Sequence, residues 1–469
     1  AYALANNQNT LLKEGYSGNA LNPSNNTNRA MTKGSQFLYN NHVIRNPNQA
    51  YTFRMIPRTW LETDPFMGTR YEVLITATEL PKQDGNYRPG KITWTDWKPI
   101  TGENAWAFLL GPLQAAYLHY IKSERHQYIP FNDLAVQDAL ALLPAFAVMQ
   151  SPVGGVYYVP AGTVANQGNR ITNPYQVSVE NNASLYAGLR VLESTLHAEL
   201  VHEKELSNPD KAKIHTALET IRIMIEGGHI AGNNPTAGLL SFFKTRAWHN
   251  NEFVQGGLAS DPEKEDVWVP YFEPRAIDAN TWSISALGAK QIDQWFGFGA
   301  AFKNWQQIKQ WGAYGVNSVL WGVGYSDEDG NGTDPDGTYR PGILSAEWTA
   351  GAINMVRNLI GYYQKIPASS ANYAASLRYV QSLKKDEITM IDALQTLRID
   401  NYDKTSFPGK PASYNELIHQ SLKPYLYASK RYFVPFGWYA NPLPSTCATA
   451  WIMMLADQFD PFGYAGQPN

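Results

Sequence analysis

Four acids stand alike in this sequence, each in the opening turn of a helical stretch. They are Glu103 in TGENAW, Glu180 in VSVENNAS, Asp278 in IDANTW and Glu347 in LSAEWTAGA, followed by small residues and often by tryptophan. PLPSTCATAW near the C-terminus repeats the pattern with the tryptophan and without the acid. An acid in a first turn complements the helix dipole and caps free N–H groups. A simple cap does not need the accompanying Trp, Asn and small residues. Paired carboxyls in contrasting surroundings supply one proton donor and one ionised group, the division of labour that breaks the acetal C–O bond of a sugar chain.

Within this set Glu180, between Ser178 and the pair Asn181 and Asn182, is nominated as general acid, with Glu347 before Trp348 as its rival. Asp327 lies on an acidic loop suited to holding a water, so it or Glu347 is the candidate base. The loop itself, DEDGNGTDPD over 327–336, begins as a calcium loop does: Asp327-x-Asp329-x-Asn331-Gly332. Glycine gives the sharp turn that wraps oxygens round a cation. The twelfth position is Thr338 instead of the usual bidentate Glu, so Asp334 and Asp336 are the expected substitutes. Three readings stand open here: a structural Ca2+ site, a solvated turn, or direct use of Asp327. No organic cofactor is expected, since no P-loop, GxSxG, HExxH, CxxC or dinucleotide fingerprint occurs.

Aromatic residues make up 13% of the chain, with 14 Trp and 28 Tyr, many of them in polar Gly/Asn/Pro-rich stretches. Flat rings beside hydrogen-bonding groups suit the C–H faces and hydroxyl edges of sugars. The expected substrate contacts are Glu103, Asn104, Trp106, Asn181, Trp248, His249, Asp278, Trp282, Trp348, Trp438 and Tyr439. RAWHNNEF also permits a second chemistry, in which Trp248, His249, Asn250 and Glu252 act with Arg275 and Tyr439 as a polysaccharide lyase. A third reading is a carbohydrate-binding protein without working acids.

Helical periodicity dominates after residue 100. ENAWAFLLGPLQAAYLHYIKSE should bend near Pro112, and FNDLAVQDALALLPAFAVMQ should be distorted at Pro144. Leu185, Leu189, Leu192 and Leu196 share one helical face; Ile214, Leu218, Ile221 and Ile225 share another that closes on Gly227–Gly228. Further helices are expected at NTWSISALGAKQIDQWFG, AAFKNWQQIKQWG, 346–364, 371–398, NELIHQSLKPYLYASKRY and 445–459. Long excursions, β-hairpin-like in character, separate successive hairpins. Residues 1–50 read as a wrapping arm and 51–100 as strand-like, so the domains are 1–100, an N-terminal arm and β segment, and 101–469, a helical barrel. In a ring of α-hairpins alternate helices run parallel, so their N-termini and the excursions gather at one rim.

This organisation resembles the (α/α)6-barrel glycoside hydrolases over roughly residues 101–460, and its loop-rich aromatic layout looks like their endo-β-1,2-glucanase branch. The resemblance implies a mainly α, (α/α)6 toroid of helical hairpins, a carbohydrate cleft at one end and an inverting mechanism. Five inner-helix starts are well marked; the sixth would be the segment near 413–430.

Composition bounds the partners. A formal charge of −3 with no basic run argues against nucleic acid, and no apolar stretch of about 20 residues is present to span a membrane. Near-neutral charge favours an uncharged glucan over a uronate polymer. The single cysteine, Cys447, excludes an internal disulfide. A monomeric, secreted or periplasmic protein is expected.

Overall fold

Two prolines inside apolar runs test how far periodicity dictates a helix. Proline lacks an N–H and its ring crowds the carbonyl four residues back. Around Pro112 the chain stays helical over 101–123 but widens to a π-helix at Trp106–Leu110, and Gly111 N–H reaches the Trp106 carbonyl. The π segment gives the ring room, so the helix (α1) is relieved without breaking. Pro144 sits inside α2, Leu134–Val148, which runs on past it.

The structure, a computed structural model, describes 100–159, 172–233, 235–259, 267–340, 342–401, 423–440, 442 and 445–463, and the strand backbone at 36–39, 42–45, 56–60, 72–74 and 93–96. Strands do form in the stretch read as strand-like: Ile56–Trp60 pairs antiparallel with both Glu72–Leu74 and Thr93–Asp96. Gln36–Tyr39 and His42–Arg45 form a hairpin. The remainder of the expected N-terminal arm lies outside the described residues, as do 402–422, which hold most of the proposed sixth start. Of that start, 423–430 is not helical; it carries isolated bridges from Tyr425 to Arg398 and from Ala428 to Ser345.

The chain is mainly α and divides into two compact units, Ala1–Thr63 with Arg70–Ala247 and Gly256–Tyr271, and Asp64–Thr69 with Trp248–Gln255 and Phe272–Asn469. The first contains α1, α2, α3 (Val179–His202), α4 (Asn208–Glu226) and a short helical stretch, α5, over 239–247. The second contains α6 (Ile277–Leu287), α7 (Ala289–Phe296), α8 (Ala300–Gly312), α9 (Ala346–Gln364), α10 (Tyr373–Leu394) and α11 (Thr446–Ala456). The stretch expected as one helix over 280–297 is two, because Gly288 takes φ 83° and ends α6. No described helix is long and apolar enough to cross a membrane.

Helix starts are built on one plan. Ser178, Ser345 and Ser445 are extended N-caps whose hydroxyls accept the N–H of Asn181, Trp348 and Ala448. The fourth helical residue of each of four helices then clamps a backbone residue far upstream. Asn182 holds both the N–H and the C=O of Val156 (2.7 and 3.0 Å), and Asn280 holds those of Phe253 (2.7 and 3.2 Å). Thr349 does the same at Val323 (3.0 and 3.3 Å), and Thr449 accepts the Tyr425 N–H at 3.0 Å. The offsets are 26, 27, 26 and 24 residues.

Two residues past the clamped one, a tyrosine carbonyl accepts the first N–H of the preceding start. Thr101 bonds Tyr158, Ile277 bonds Tyr325 and Ala346 bonds Tyr427. These bonds use orphan N–H groups that a helix start always leaves. In the first unit they set the starts of α1 and α3 side by side; in the second they align α6, α9 and α11.

Small residues in the start motif let these helices approach. A Cβ on Gly188 of α3 would meet the Leu109 side chain at 2.7 Å, and one on Gly351 of α9 would meet Trp282 Nε1 at 2.8 Å.

Candidate functional site

The aligned starts carry the acids in register. Glu180, Asp278 and Glu347 are each the second residue of their helix and Glu103 is the third. All four are half-buried. In α3 and α9 the capping is done by Ser178 and Ser345, so neither Glu180 nor Glu347 is needed for it. In α6 Asp278 accepts its neighbour Ala279 N–H at 2.7 Å. At the α11 start the equivalent second position is Cys447.

In the first unit, Glu180 is surrounded by donors. Asn181 Nδ2 donates to its Oε2 at 2.6 Å, and the Ser184 hydroxyl donates to Oε1 at 3.2 Å. Ser184 in turn accepts the Trp106 indole N–H at 3.0 Å, and Asn181 Oδ1 accepts the Gly102 N–H at 2.6 Å. Both links cross from α1 to α3. The expected group Glu103, Trp106, Glu180 and Asn181 is thus brought together at two adjacent starts. Asn104 is a correction: it is 1% exposed and spends its amide on the Ile100 carbonyl at 2.8 Å, inside its own helix. Asn181 is likewise buried, so it serves the carboxylate and not a ligand.

In the second unit Glu347 follows another pattern. Trp348 packs edge-on against Tyr325 (4.9 Å between centroids, 70°) and stacks on Phe436 at 6.2 Å. Tyr325 also meets Tyr427 at 5.9 Å and Trp438 at 6.3 Å. Burial holds the phenols of Tyr325 and Tyr427 well above their ordinary value, and the Glu347 charge pushes both further the same way. These phenols stay neutral, so the acid lies by an aromatic, uncharged floor.

Asp327 is not available as expected. Arg275 takes both its oxygens, through its backbone N–H at 2.8 Å and Nε at 2.9 Å. The guanidinium lies 4.8 Å over the Trp311 ring and 3.7 Å from Glu252, which also accepts the Trp311 indole N–H at 2.8 Å. Burial raises the Glu252 carboxyl, against the lowering effect of Trp311 and Arg275. The Arg275–Asp327 pairing, one bond from the backbone and one from the guanidinium, ties the acidic loop to the residues preceding α6.

The side chains of the acidic loop are engaged within the protein. Asp329 is buried and accepts the N–H groups of Tyr325 and Ser326 and the Ser326 hydroxyl. Asn331 donates to the Gly312 and Ile343 carbonyls and accepts the Ile343 N–H. Asp336 accepts the Thr338 N–H, and Asp334 lies 3.7 Å from Arg340 on the surface. Among the described residues no three His, Cys, Asp or Glu side chains gather as a metal would require.

The aromatic platforms divide. Trp282 is buried against Trp451 and Phe462 and belongs to the core, and Trp348 is only 5% exposed. Trp248 is half-buried with one face stacked on Phe296 (4.4 Å, 4°), and the exposed His249 lies 4.8 Å from Phe272. Trp438 is half-buried in the hairpin with Tyr432–Val434; the Tyr439 side chain lies outside the described residues.

Ser184, Tyr325, Tyr427 and Thr349 were not singled out from sequence. A signal exists for the tyrosines and Thr349: VYY, VGY and YLY each put a tyrosine two residues after the clamped residue, 26, 26 and 24 residues before Asn182, Thr349 and Thr449 when counted from that clamped residue.

No protein-family model and no curated protein matches the chain. Among solved structures it is similar to an unsaturated glucuronyl hydrolase from Bacillus sp. GL1, at 10% identity over 77% of both chains with a TM-score of 0.38. It is also similar to a GH76 α-mannanase from Bacteroides thetaiotaomicron, at 12% identity over 78% of this chain and 86% of that one, with a TM-score of 0.31. These scores are too low to match individual residues, so the chemistry of this chain rests on its own atoms.

Proposed function

We propose that this chain is a glycoside hydrolase that cleaves an uncharged polysaccharide or oligosaccharide with carboxyl groups presented at helix starts. One observation carries the reading: Glu180 and Glu347 occupy the same helical position in starts already capped by serine, so the helix itself does not call for them. Glycoside hydrolysis needs one protonated and one ionised carboxyl. Within the first unit, the donors around Glu180 favour its charged form.

A lyase would need Arg275 free to neutralise a uronate, and Arg275 is already paired with Asp327 and Glu252. Polysaccharide hydrolysis also accords with a secreted or periplasmic location.

The test is a panel of neutral and uronate polymers, with a β-1,2-glucan among them, followed by reducing ends and by ultraviolet absorbance of unsaturated products. Reducing ends without absorbance are expected on a neutral member. Glu347→Gln and Glu180→Gln should each lower turnover by about 10²–10⁴-fold while binding persists. Full activity in both variants removes these carboxyls from the reaction, and absorbance on a uronate polymer establishes the lyase instead.

A further inference from the structure

We infer that Ser184 and Asn181 are positioning residues that hold Glu180 as an ionised carboxylate, so that it takes up a proton in turnover instead of giving one. This rests on the hydrolase reading and reverses the role expected for Glu180 from sequence.

The argument is one of hydrogen-bond polarity. An indole N–H can only donate. The Trp106 N–H therefore occupies a lone pair of Ser184 Oγ, and the single Ser184 proton is directed to Glu180 Oε1. Asn181 is fixed in the same sense. A backbone N–H can also only donate, and that of Gly102 points at Asn181 Oδ1. The amide cannot flip without setting NH2 against N–H, so its Nδ2 faces Glu180 Oε2 and Ser178 Oγ. Both oxygens of Glu180 thus receive hydrogens whose direction is set two bonds away. Hydrogen bonds accepted by both oxygens favour the charged form over the neutral one.

Ser184 and Asn181 are buried, at 0% and 6% exposure, so water does not scramble this order. Gly102 belongs to the device too, since a Cβ there would meet Asn181 Oδ1 at 2.6 Å.

In the inverting scheme, Glu180 then takes a proton from the attacking water as the water oxygen bonds to the anomeric carbon. The glycosidic C–O bond breaks, and the leaving oxygen takes its proton from a different carboxyl. Glu180 later returns its proton to solvent.

The experiment reads the carboxyl directly. Full-length protein labelled with ¹³C at glutamate side chains is titrated by NMR from about pH 4 to pH 8, with the Glu180 signal assigned by its loss in Glu180→Gln. The signal should keep its carboxylate position through neutral pH in the wild type. Ser184→Ala and Trp106→Phe should each move its midpoint upward by about one pH unit, with the helical circular dichroism unchanged. Trp106→Phe keeps the test open if the buried serine variant folds poorly. A wild-type Glu180 still protonated at neutral pH, or midpoints unmoved in the folded variants, overturns the inference. Neither result depends on turnover, so a polysaccharide panel without cleavage would sink the hydrolase reading while the state of Glu180 is decided separately.

Discussion

Helix α3 carries two acids in opposite circumstances. Glu180, in its first turn, has a donor for each oxygen. Glu199, near its other end, is 0% exposed, and among the described residues neither oxygen has a hydrogen-bond partner. Burial, with a smaller contribution from the Glu203 charge, pushes the Glu199 carboxyl up to about 9. One helix therefore holds a carboxyl supplied with hydrogens, which favours the charge, and another shut from water, which favours the proton. The contrast pairs full burial without donors at Glu199 with partial burial and two donors at Glu180.

The sharpest way to break this contrast is to follow stability against pH. Below about 4.5, Glu199 is protonated both folded and unfolded, and it contributes no slope. From there to about 9 the unfolded chain releases the proton and the folded chain keeps it. Stability should fall by about 1.4 kcal/mol per pH unit attributable to this residue, several kcal/mol in all, and level off above. Glu199→Gln should flatten that slope in urea titrations at several pH values. An unchanged slope would mean that Glu199 is charged at neutral pH.

Removing a clamp comes next. Asn280→Ala strands the Phe253 N–H and C=O and should cost about 1–3 kcal/mol, with the same for Asn182→Ala at Val156. Thermal melts check this, and a loss confined to a few tenths would make the clamps ornamental. Gly102→Ala should cost about 1–2 kcal/mol, and it should move the Glu180 titration as Ser184→Ala does, because the added methyl displaces the Asn181 amide. The smallest effect concerns the acidic loop. Added Ca2+ or a chelator should leave the melting temperature unchanged, and a rise on Ca2+ addition would restore the cation reading.

Much of the helical layout was legible because 3.6-residue periodicity is local. The break at Gly227 and the apolar faces around Leu189 and Ile221 follow from neighbours in the chain. The place of each acid in the first turn of its own helix was also legible, through the likeness of the four start motifs. The capture of Asp327 by Arg275 was not, since the partners are 52 residues apart. Nor was the polarity around Glu180, which is decided by a glycine N–H and an indole 79 and 78 residues from their acceptors. Gly288 misled for a different reason: glycine is tolerated inside helices, and only its positive φ shows that it ends one here.

The clamps at Val156, Phe253, Val323 and Tyr425 have an architectural consequence. Each fastens an excursion at its root, and in three of the four a cap serine sits at the helix start where the segment ends. Such segments behave as cassettes: length and side chains can be exchanged at a closure cost that grows only slowly with residue number. The scaffold could therefore be refitted to differently shaped ligands by swapping tips alone, with every helix left where it is.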